Sequence, residues 1–401
     1  MEKRVEFTSN PCIMRIEEKC TRCGMCKKTC ESINNIGDDC IRCGQCILTC
    51  PMGALVPKND YQTVLNYLND TDYTCIVSIA PATRVSLIDE LGLNGPNPTK
   101  QLVGILRALG FDYVFDIAVG ADVTTIEESV EFIERIKENK FPLMTSCCPS
   151  WKKYAITHDL DKYVSSTKSP IKMQGYLIRE YLPKYIDFKK KVINVILMPC
   201  ISKKEEILDD TGIDYVITNR EFIYMVNEAK IDVQNIIPRD FDLLLGSATS
   251  SGIIFGTAGG VLESVLRTTY YLMNHKDMPK DKLSLDLDNK KLFSEATYDM
   301  GNITIKVARV STMAELQKIN IHDYHLIEVM ACPGGCINGG GQPLVPNNMN
   351  NQNREKKALK LIDYDIKGNS KASYKSKEIE DLYHFDIGIP GGKNAHKKLH
   401  D

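Results

Sequence analysis

The sequence predicts an α/β protein preceded by a small cysteine-rich domain. Three observations lead there. Eight cysteines crowd between Cys20 and Cys50 in two copies of one spacing. Beyond them, apolar runs rich in β-formers alternate with amphipathic helical stretches, the pattern of an α/β sheet. Those runs are continuous rather than alternating, as strands buried on both faces of a parallel sheet require.

Composition narrows the class further. The 401 residues carry a formal net charge of -2, so nothing marks the chain as a nucleic-acid binder. No segment is apolar enough to span a bilayer. The first residues, MEKRVEFTSNPC, lack the apolar core of a secretory signal, so a cytoplasmic location is expected. There are 15 cysteines against 7 histidines. Clustered as they are, they point to metal clusters rather than disulfides, and a thiolate-dominated set favours iron–sulfur chemistry.

Residues 1–68 hold the repeat, CTRCGMCKKTC from Cys20 and CIRCGQCILTCP from Cys40. This is the bacterial ferredoxin run, in which the fourth cysteine of each copy ligates the other cluster. Cys20, Cys23, Cys26 and Cys50 are therefore expected to bind one [4Fe–4S] cluster, and Cys40, Cys43, Cys46 and Cys30 the second, in a small α+β ferredoxin-like domain that relays electrons. Two zinc ribbons are the alternative, but they rarely place so many cysteines so close without histidine.

Residues 69–345 carry the apolar runs at 74–80, 112–119, 141–148, 192–200 and 325–332, with helical stretches at 124–138 and 258–274. Thr124 and Glu127 have the spacing of a helix-capping box. A C-terminal helical segment, 346–401, follows, with an Asn-rich loop at 344–353 and a polar helical tail over 354–401. Three runs end in cysteine motifs: TSCCPSW (145–151), MPCISKKEE (198–206) and EVMACPGGCINGGGQP (328–343). Ligands of α/β sheets bind beyond the carboxyl ends of the strands, so thiolates meeting there could hold one further cluster. Cys147 and Cys148 are adjacent and should point to opposite sides, leaving one of them as a free thiol.

These three motifs, in this order, resemble the signature segments of the [FeFe]-hydrogenases (iron-only hydrogenases). The cysteine repeat and the tail resemble the same family, so the likeness covers nearly the whole chain. The resemblance implies a monomeric enzyme whose catalytic domain has two lobes, with parallel sheets flanked by helices around the cluster. It implies the reversible reduction of protons to dihydrogen at an H-cluster. That cofactor is a [4Fe–4S] cube linked to a diiron unit bearing CO, cyanide and azadithiolate ligands. By the same resemblance Cys148, Cys200 and Cys332 ligate the cube, and Cys336 bridges cube and diiron unit. Cys147 stays free and passes protons; a thiol suits this because its pKa can be tuned near working pH.

Lys203, three residues after Cys200, can set an ammonium beside a cyanide ligand; a surface lysine is the plainer reading. Met198 and Met330 each precede a ligand cysteine by two residues and would wall the diiron unit, a role close to that of ordinary core methionine. Gly339, Gly340 and Gly341 would let backbone approach the cluster. Glu206 and Glu328 are candidate supporting hydrogen-bond groups, or surface carboxylates. On the helix 124–138, Glu128, Glu131 and Arg135 share one face, which by itself usually means a solvated ion-paired surface. The resemblance implies instead a proton relay from Cys147 through a water to Glu128, Ser165 and Glu131, with Arg135 near the exit.

The implied partners are a ferredoxin or flavodoxin and the proteins that assemble the diiron unit. Ser150 stands where better-known members have glycine, and Ile171 where they commonly have glutamine, so the chain resembles a divergent branch. Three rivals are weaker. An iron–sulfur assembly factor would keep the cube ligands but generally lacks the free thiol. A dihydrogen-sensing member would carry a signalling domain. A plain two-cluster carrier would leave most of the chain unexplained.

Overall fold

The computed structural model describes residues 10–35, 39–279, 291–344, 350–367 and 372–401. In the N-terminal unit, strand β1 (Ile13–Arg15) pairs antiparallel with β2 (Leu55–Pro57). Between them the sequence repeat becomes a backbone repeat. Helices α1 (Met25–Ile33) and α2 (Gln45–Thr49) each start after a left-handed glycine, Gly24 at φ 76° and Gly44 at φ 74°. The arginine two residues before each glycine is also left-handed, Arg22 at φ 58° and Arg42 at φ 60°. Alternating left-handed residues turn successive amides inward, the concavity that suits an anionic cluster. The halves meet where their sequences correspond: the Thr29 and Thr49 hydroxyls, one before Cys30 and one before Cys50, lie 2.9 Å apart.

Eight further strands follow among the described residues: β3 (Tyr73–Ile79), β4 (Tyr113–Asp116), β5 (Leu143–Met144), β6 (Lys191–Met198), β7 (Tyr215–Thr218), β8 (Phe293–Asp299), β9 (Thr304–Ser311) and β10 (Leu326–Met330). They form two four-stranded sheets, ordered β4-β3-β6-β7 and β5-β10-β9-β8. The first is wholly parallel, and in the second only β8 runs antiparallel, on the edge. Helices flank both sheets, among them α3 (Ala118–Glu138) and α4 (Gly260–Asn274). No helix among the described residues is long and apolar enough to cross a membrane.

Several sequence expectations need correction. The run 112–119 is strand only to Asp116, whose carboxylate accepts the Ala118 amide at 3.0 Å and turns the chain into α3. That helix starts well before Thr124, so Thr124 and Glu127 form no capping box. The Thr124 hydroxyl donates to the carbonyls of Gly120 and Lys168, each at 3.1 Å, and Glu127 is committed elsewhere. The run 141–148 pairs only through Leu143 and Met144, leaving the cysteines beyond it free of the ladder. Of the expected Asn-rich loop at 344–353, residues 345–349 lie outside the described set and residues 350–353 are helical, because helix α5 spans Asn350–Lys367. There the burial of Ala358 and Leu361 against Ala82, Val85 and Ile337 overrides the weak helix propensity of asparagine. Strands β7, β8 and β9 go beyond the sequence reading: β7 is only four residues long, and the edge strand β8 and the start of β9 alternate between more and less buried residues instead of forming a continuous apolar run.

The ferredoxin-like unit sits tightly on the larger part. Gln45 Nε2 donates to the Asn338 carbonyl at 2.8 Å. A Cβ on Gly340 would lie 2.6 Å from Gly44 Cα and 2.7 Å from the Cys43 carbonyl oxygen. Glycine is therefore required here by contact between two backbones. Gly340→Ala is expected to lower stability by about 1–3 kcal/mol, the usual cost of overpacking. Thermal melting followed at the cluster absorbance checks this; an unchanged melting temperature would refute it.

Candidate cluster site and proton route

The strand ends deliver the cysteine motifs to one place. Beyond β5 the chain reaches Cys148, the residue that precedes the helix Pro149–Thr157, where the backbone amides of Ala331, Trp151 and Ser150 and the charge of Lys203 favour its thiolate. Beyond β6, Cys200 stands just before another short helix, Lys203–Glu206, where the amides of Lys203 and Ser202 favour its thiolate. Cys332 follows β10 and feels the charges of Cys43, Cys200, Cys148 and Cys336. Burial pushes all four thiols up, Cys200 to about 11, against the amides and Lys203. Among the described residues no three His, Cys, Asp or Glu side chains converge tightly enough for a single metal ion. A four-iron cube takes its thiolates at its outer corners and needs them wider apart than one tetrahedral ion does. Four soft thiolates, three from strand ends, fit a cube.

Beside these cysteines lies a cavity of about 60 Å³. Its wall includes Cys147, Cys336, Lys203, Met198, Ile171 and Phe255. Met330 is not among the lining residues; it is buried in the α4-side core, with Cys147 and Cys148 at its edge. Lys203 is no surface residue. Its Nζ donates to the Cys147 carbonyl at 3.1 Å and pairs with Glu206 at 2.6 Å. Burial opposes its charge, but the Glu206 carboxylate and nearby thiols overcome this and hold its pKa above the ordinary value. Glu206 also accepts the Ser169 hydroxyl. Glu328 is buried on β10 and accepts the amides of Gly259 and Leu262 at 2.5 and 2.9 Å, fixing the start of α4. Gly339 packs on the Pro199 carbonyl, where a Cβ would come within 2.4 Å, so these glycines serve close packing of backbone on backbone.

The residues of the expected relay run from buried Cys147 and Glu128 to the partly exposed Glu131 and Arg135. Cys147 is enclosed, and burial followed by the charge of Glu128 drives its thiol well above the ordinary range. The structure thus keeps it protonated instead of poised near neutral pH. Glu128 Oε1 accepts the Ser146 amide at 2.9 Å and its hydroxyl at 3.2 Å, while Oε2 makes no hydrogen bond. Burial pushes this carboxyl up to about 8, reinforced by Glu131 and opposed by Ser146. The Ser165 hydroxyl donates to Glu131 Oε2 at 2.6 Å. Arg135 pairs with Glu131 at 3.2 Å, and their side chains are 20% and 11% exposed, against 0% for Glu128. Ser146, which holds Glu128, was overlooked in the sequence, although it lies inside the TSCC motif.

Because the folded carboxyl of Glu128 titrates above its unfolded value of about 4.3, the folded state holds the extra proton between the two. This contribution to stability is full below about 4.3 and is lost as pH rises through about 8. Wild-type melting temperature should fall across that window more steeply than that of Glu128→Gln, measured on cluster-free protein; equal slopes would contradict the buried carboxyl.

Residues 73–340 match the family model described as iron only hydrogenase large subunit, C-terminal domain. The chain belongs to the iron-only hydrogenase family. Residues 36–56 match a 4Fe-4S binding domain. Iron hydrogenase 1 of Clostridium pasteurianum is 35% identical over 375 residues, covering 87% of this chain and 64% of that protein. The chain thus spans just under two thirds of that relative. An [FeFe]-hydrogenase structure from Chlamydomonas reinhardtii superposes with a TM-score of 0.71 at 29% identity, covering 84% of this chain and 97% of the other. A cytosolic Fe-S cluster assembly factor of Xenopus tropicalis is 32% identical over 297 residues, covering 67% of this chain and 62% of that protein.

As an iron-only hydrogenase family member, the chain has a particular cavity wall. Ile171 is fully buried there, so the wall is apolar at the position where the sequence suggested a departure from the family pattern. Ser150 is buried in the first turn after Cys148. The N-terminal repeat reaches this site through Cys43, whose carbonyl oxygen lies 4.0 Å from the Cys332 sulfur. Cys23, in the other half of the repeat, is exposed.

Proposed function

We propose that this chain catalyses the reversible reduction of two protons by two electrons to dihydrogen, with reduced ferredoxin or flavodoxin as the electron source. The observation that carries this reading is the cavity whose wall unites Cys147, Lys203 and Cys336. Cys148, Cys200, Cys332 and Cys336 would hold the cube of an H-cluster, Cys336 as the bridge to a diiron unit. That cofactor, when bound, supplies the low-potential metal centre at which protons and electrons combine. The protein's own residues do the rest. Lys203 holds positive charge at the cavity wall, where it would orient anionic ligands. The apolar wall at Ile171, Met198 and Phe255 excludes water. Cys147 holds a proton at its sulfur and exchanges it with Glu128, and the Ser165 hydroxyl and Glu131 continue the route outward.

Electrons would enter at the exposed half of the repeat, through Cys20, Cys23, Cys26 and Cys50. They would pass to Cys40, Cys43, Cys46 and Cys30, of which Cys43 lies beside Cys332. Infrared spectroscopy on anaerobically matured protein, run with a dihydrogen assay, tests the reading. CO and cyanide bands with gas turnover are expected; neither bands nor turnover would overturn it.

The assembly-factor relatives favour a second reading, transfer of an iron–sulfur cluster to other proteins. The cavity beside the cube site and the buried Lys203–Glu206 pair count against it, since a cluster carrier needs neither. Transfer of labelled iron to an apo-protein, without gas turnover, would favour the carrier.

A further inference from the structure

The two cluster loops share one backbone but not one environment. Residues 21–25, around Cys23, are exposed, whereas Ile41 and residues 43–45, around Cys43, are buried. Asn34 lies against the buried loop. Its side chain is fully buried, and its Nδ2 donates to the Cys43 sulfur at 3.3 Å. Its Oδ1 is buried with no hydrogen-bond partner among the described residues. Turning the amide over would set that oxygen against a thiolate, so the donor faces the sulfur. Asn10 adds a longer contact, from Nδ2 to the Cys40 sulfur at 3.8 Å. In the other set, Cys20, Cys23, Cys26 and Cys50, the Ala54 backbone amide donates to the Cys50 sulfur at 3.3 Å. Among the described residues no Asn or Gln side chain reaches a sulfur of that set.

The plain reading of Asn34 is a helix cap, and the geometry does not favour it. Asn34 closes α1 with its backbone amide, which donates to the Cys30 carbonyl at 2.9 Å, and any residue but proline supplies that bond. The left-handed residue beyond the helix is Asn35, at φ 50°. A buried carbonyl oxygen without a partner is unfavourable, and an apolar side chain of the same size would avoid it. The N–H···S bond is what the amide supplies in its place. Residues outside the repeat hold it there. Gln317 Nε2 lies 3.4 Å from the Asn34 carbonyl oxygen and 3.2 Å from the Tyr154 hydroxyl, and Asn35 Nδ2 donates to Gln317 Oε1 at 2.9 Å. Tyr154 stands on the helix Pro149–Thr157 that follows Cys148.

We propose that Asn34 keeps the inner cluster, that of Cys40, Cys43, Cys46 and Cys30, reducible by donating to the Cys43 sulfur. This rests on the two-cluster electron route put forward above. Each cube takes one electron, supplied by reduced ferredoxin or flavodoxin, and gains one negative charge. Burial disfavours that added charge, so without compensation the inner cube would be harder to reduce than the exposed one, and electrons would stall at the outer half. A donor on a ligand sulfur is drawn more strongly to the reduced cube than to the oxidised one, and so raises its potential. Arg42 and Lys153 share the Glu205 carboxylate beside this loop, which leaves one positive charge there in addition to the amide. That charge is the same in the wild type and in the variants that test Asn34.

The test is a potentiometric titration, followed by electron paramagnetic resonance, of the full chain carrying its iron–sulfur cubes. Wild type is compared with Asn34→Leu and Asn34→Asp, which keep the size of the side chain and lack the N–H donor. One reduction wave should move to lower potential by roughly tenfold in ease of reduction, ~59 mV for one electron. The other waves and the iron content should stay as in wild type. Asn34→Asp should move that wave at least as far, because a carboxylate also repels the reduced cube. No dihydrogen turnover is needed for this readout: a shifted wave in protein that evolves no gas would support the role of Asn34 and count against the hydrogenase reading alone. Unmoved waves with full iron would overturn the proposal, and so would movement of all waves together. Loss of one cube's iron in both variants would also overturn it, making Asn34 a residue that holds the cluster in place. Absence of the repeat's iron from the wild type would end the two-cluster route and the proposal with it.

Discussion

Cys147→Ala should lower dihydrogen turnover by at least ~10³-fold, within the range of losing a proton-transfer group. The iron content and the CO and cyanide bands should be unchanged. The separation follows from placement. Cys148 is placed by the backbone at the start of its own helix, so its position does not depend on the side chain of its neighbour. Lys203 touches the Cys147 carbonyl, not its sulfur, and that contact survives the substitution. What is lost is, among the described residues, the one thiol on the cavity wall besides Cys336. Cys147→Ser is the informative companion, because a hydroxyl at the same place holds its proton more tightly and should recover little turnover. Simultaneous loss of iron would make Cys147 a structural residue and end its assignment as proton carrier.

Glu128→Gln should reduce turnover by about 10²-fold or more, again with the clusters intact. An amide still accepts from the Ser146 amide and hydroxyl, so the helix and the TSCC turn should keep their geometry. It cannot exchange a proton, and in the proposed route Glu128 is the buried carboxyl that follows Cys147, whose thiol feels its charge. Its raised pKa means that the carboxyl gains and loses a proton in the working range, as a relay group must. Glu128→Asp is the control for distance: it keeps the charge, draws the group back and should be slowed less. Wild-type turnover in Glu128→Gln, with clusters verified by absorbance, would return this face of α3 to a buried hydrogen-bond network without a role in turnover.

The readability of these residues differed for physical reasons. The eight repeat cysteines were legible because one short loop must supply three ligands, which fixes their spacing in the sequence. The pairing of Glu128, Glu131 and Arg135 on one face was legible from helical periodicity, but its burial was not. A charged stripe ordinarily faces water, and only the packing of α4, the tail and the 165–168 segment against α3 encloses it. Met198 and Met330 had equal claims by spacing, and the structure places only Met198 on the cavity wall. Met330 packs instead into the core formed with α4.

The sequence by itself determined the α/β class, the doubled cysteine run, the three strand-end motifs and the family they resemble. All of these are written in local periods and short spacings. The tertiary structure decided which buried groups share a space: Lys203 with Glu206, Ser146 with Glu128, Gly340 with Gly44, and His400 with Glu127 and Ser166. Lys203 and Glu206 are three residues apart on one short turn of helix, and only their burial is tertiary; the other pairs join residues 18 to 296 positions apart. No local pattern records such contacts, because they arise only when the two sheets and the tail close around a common core.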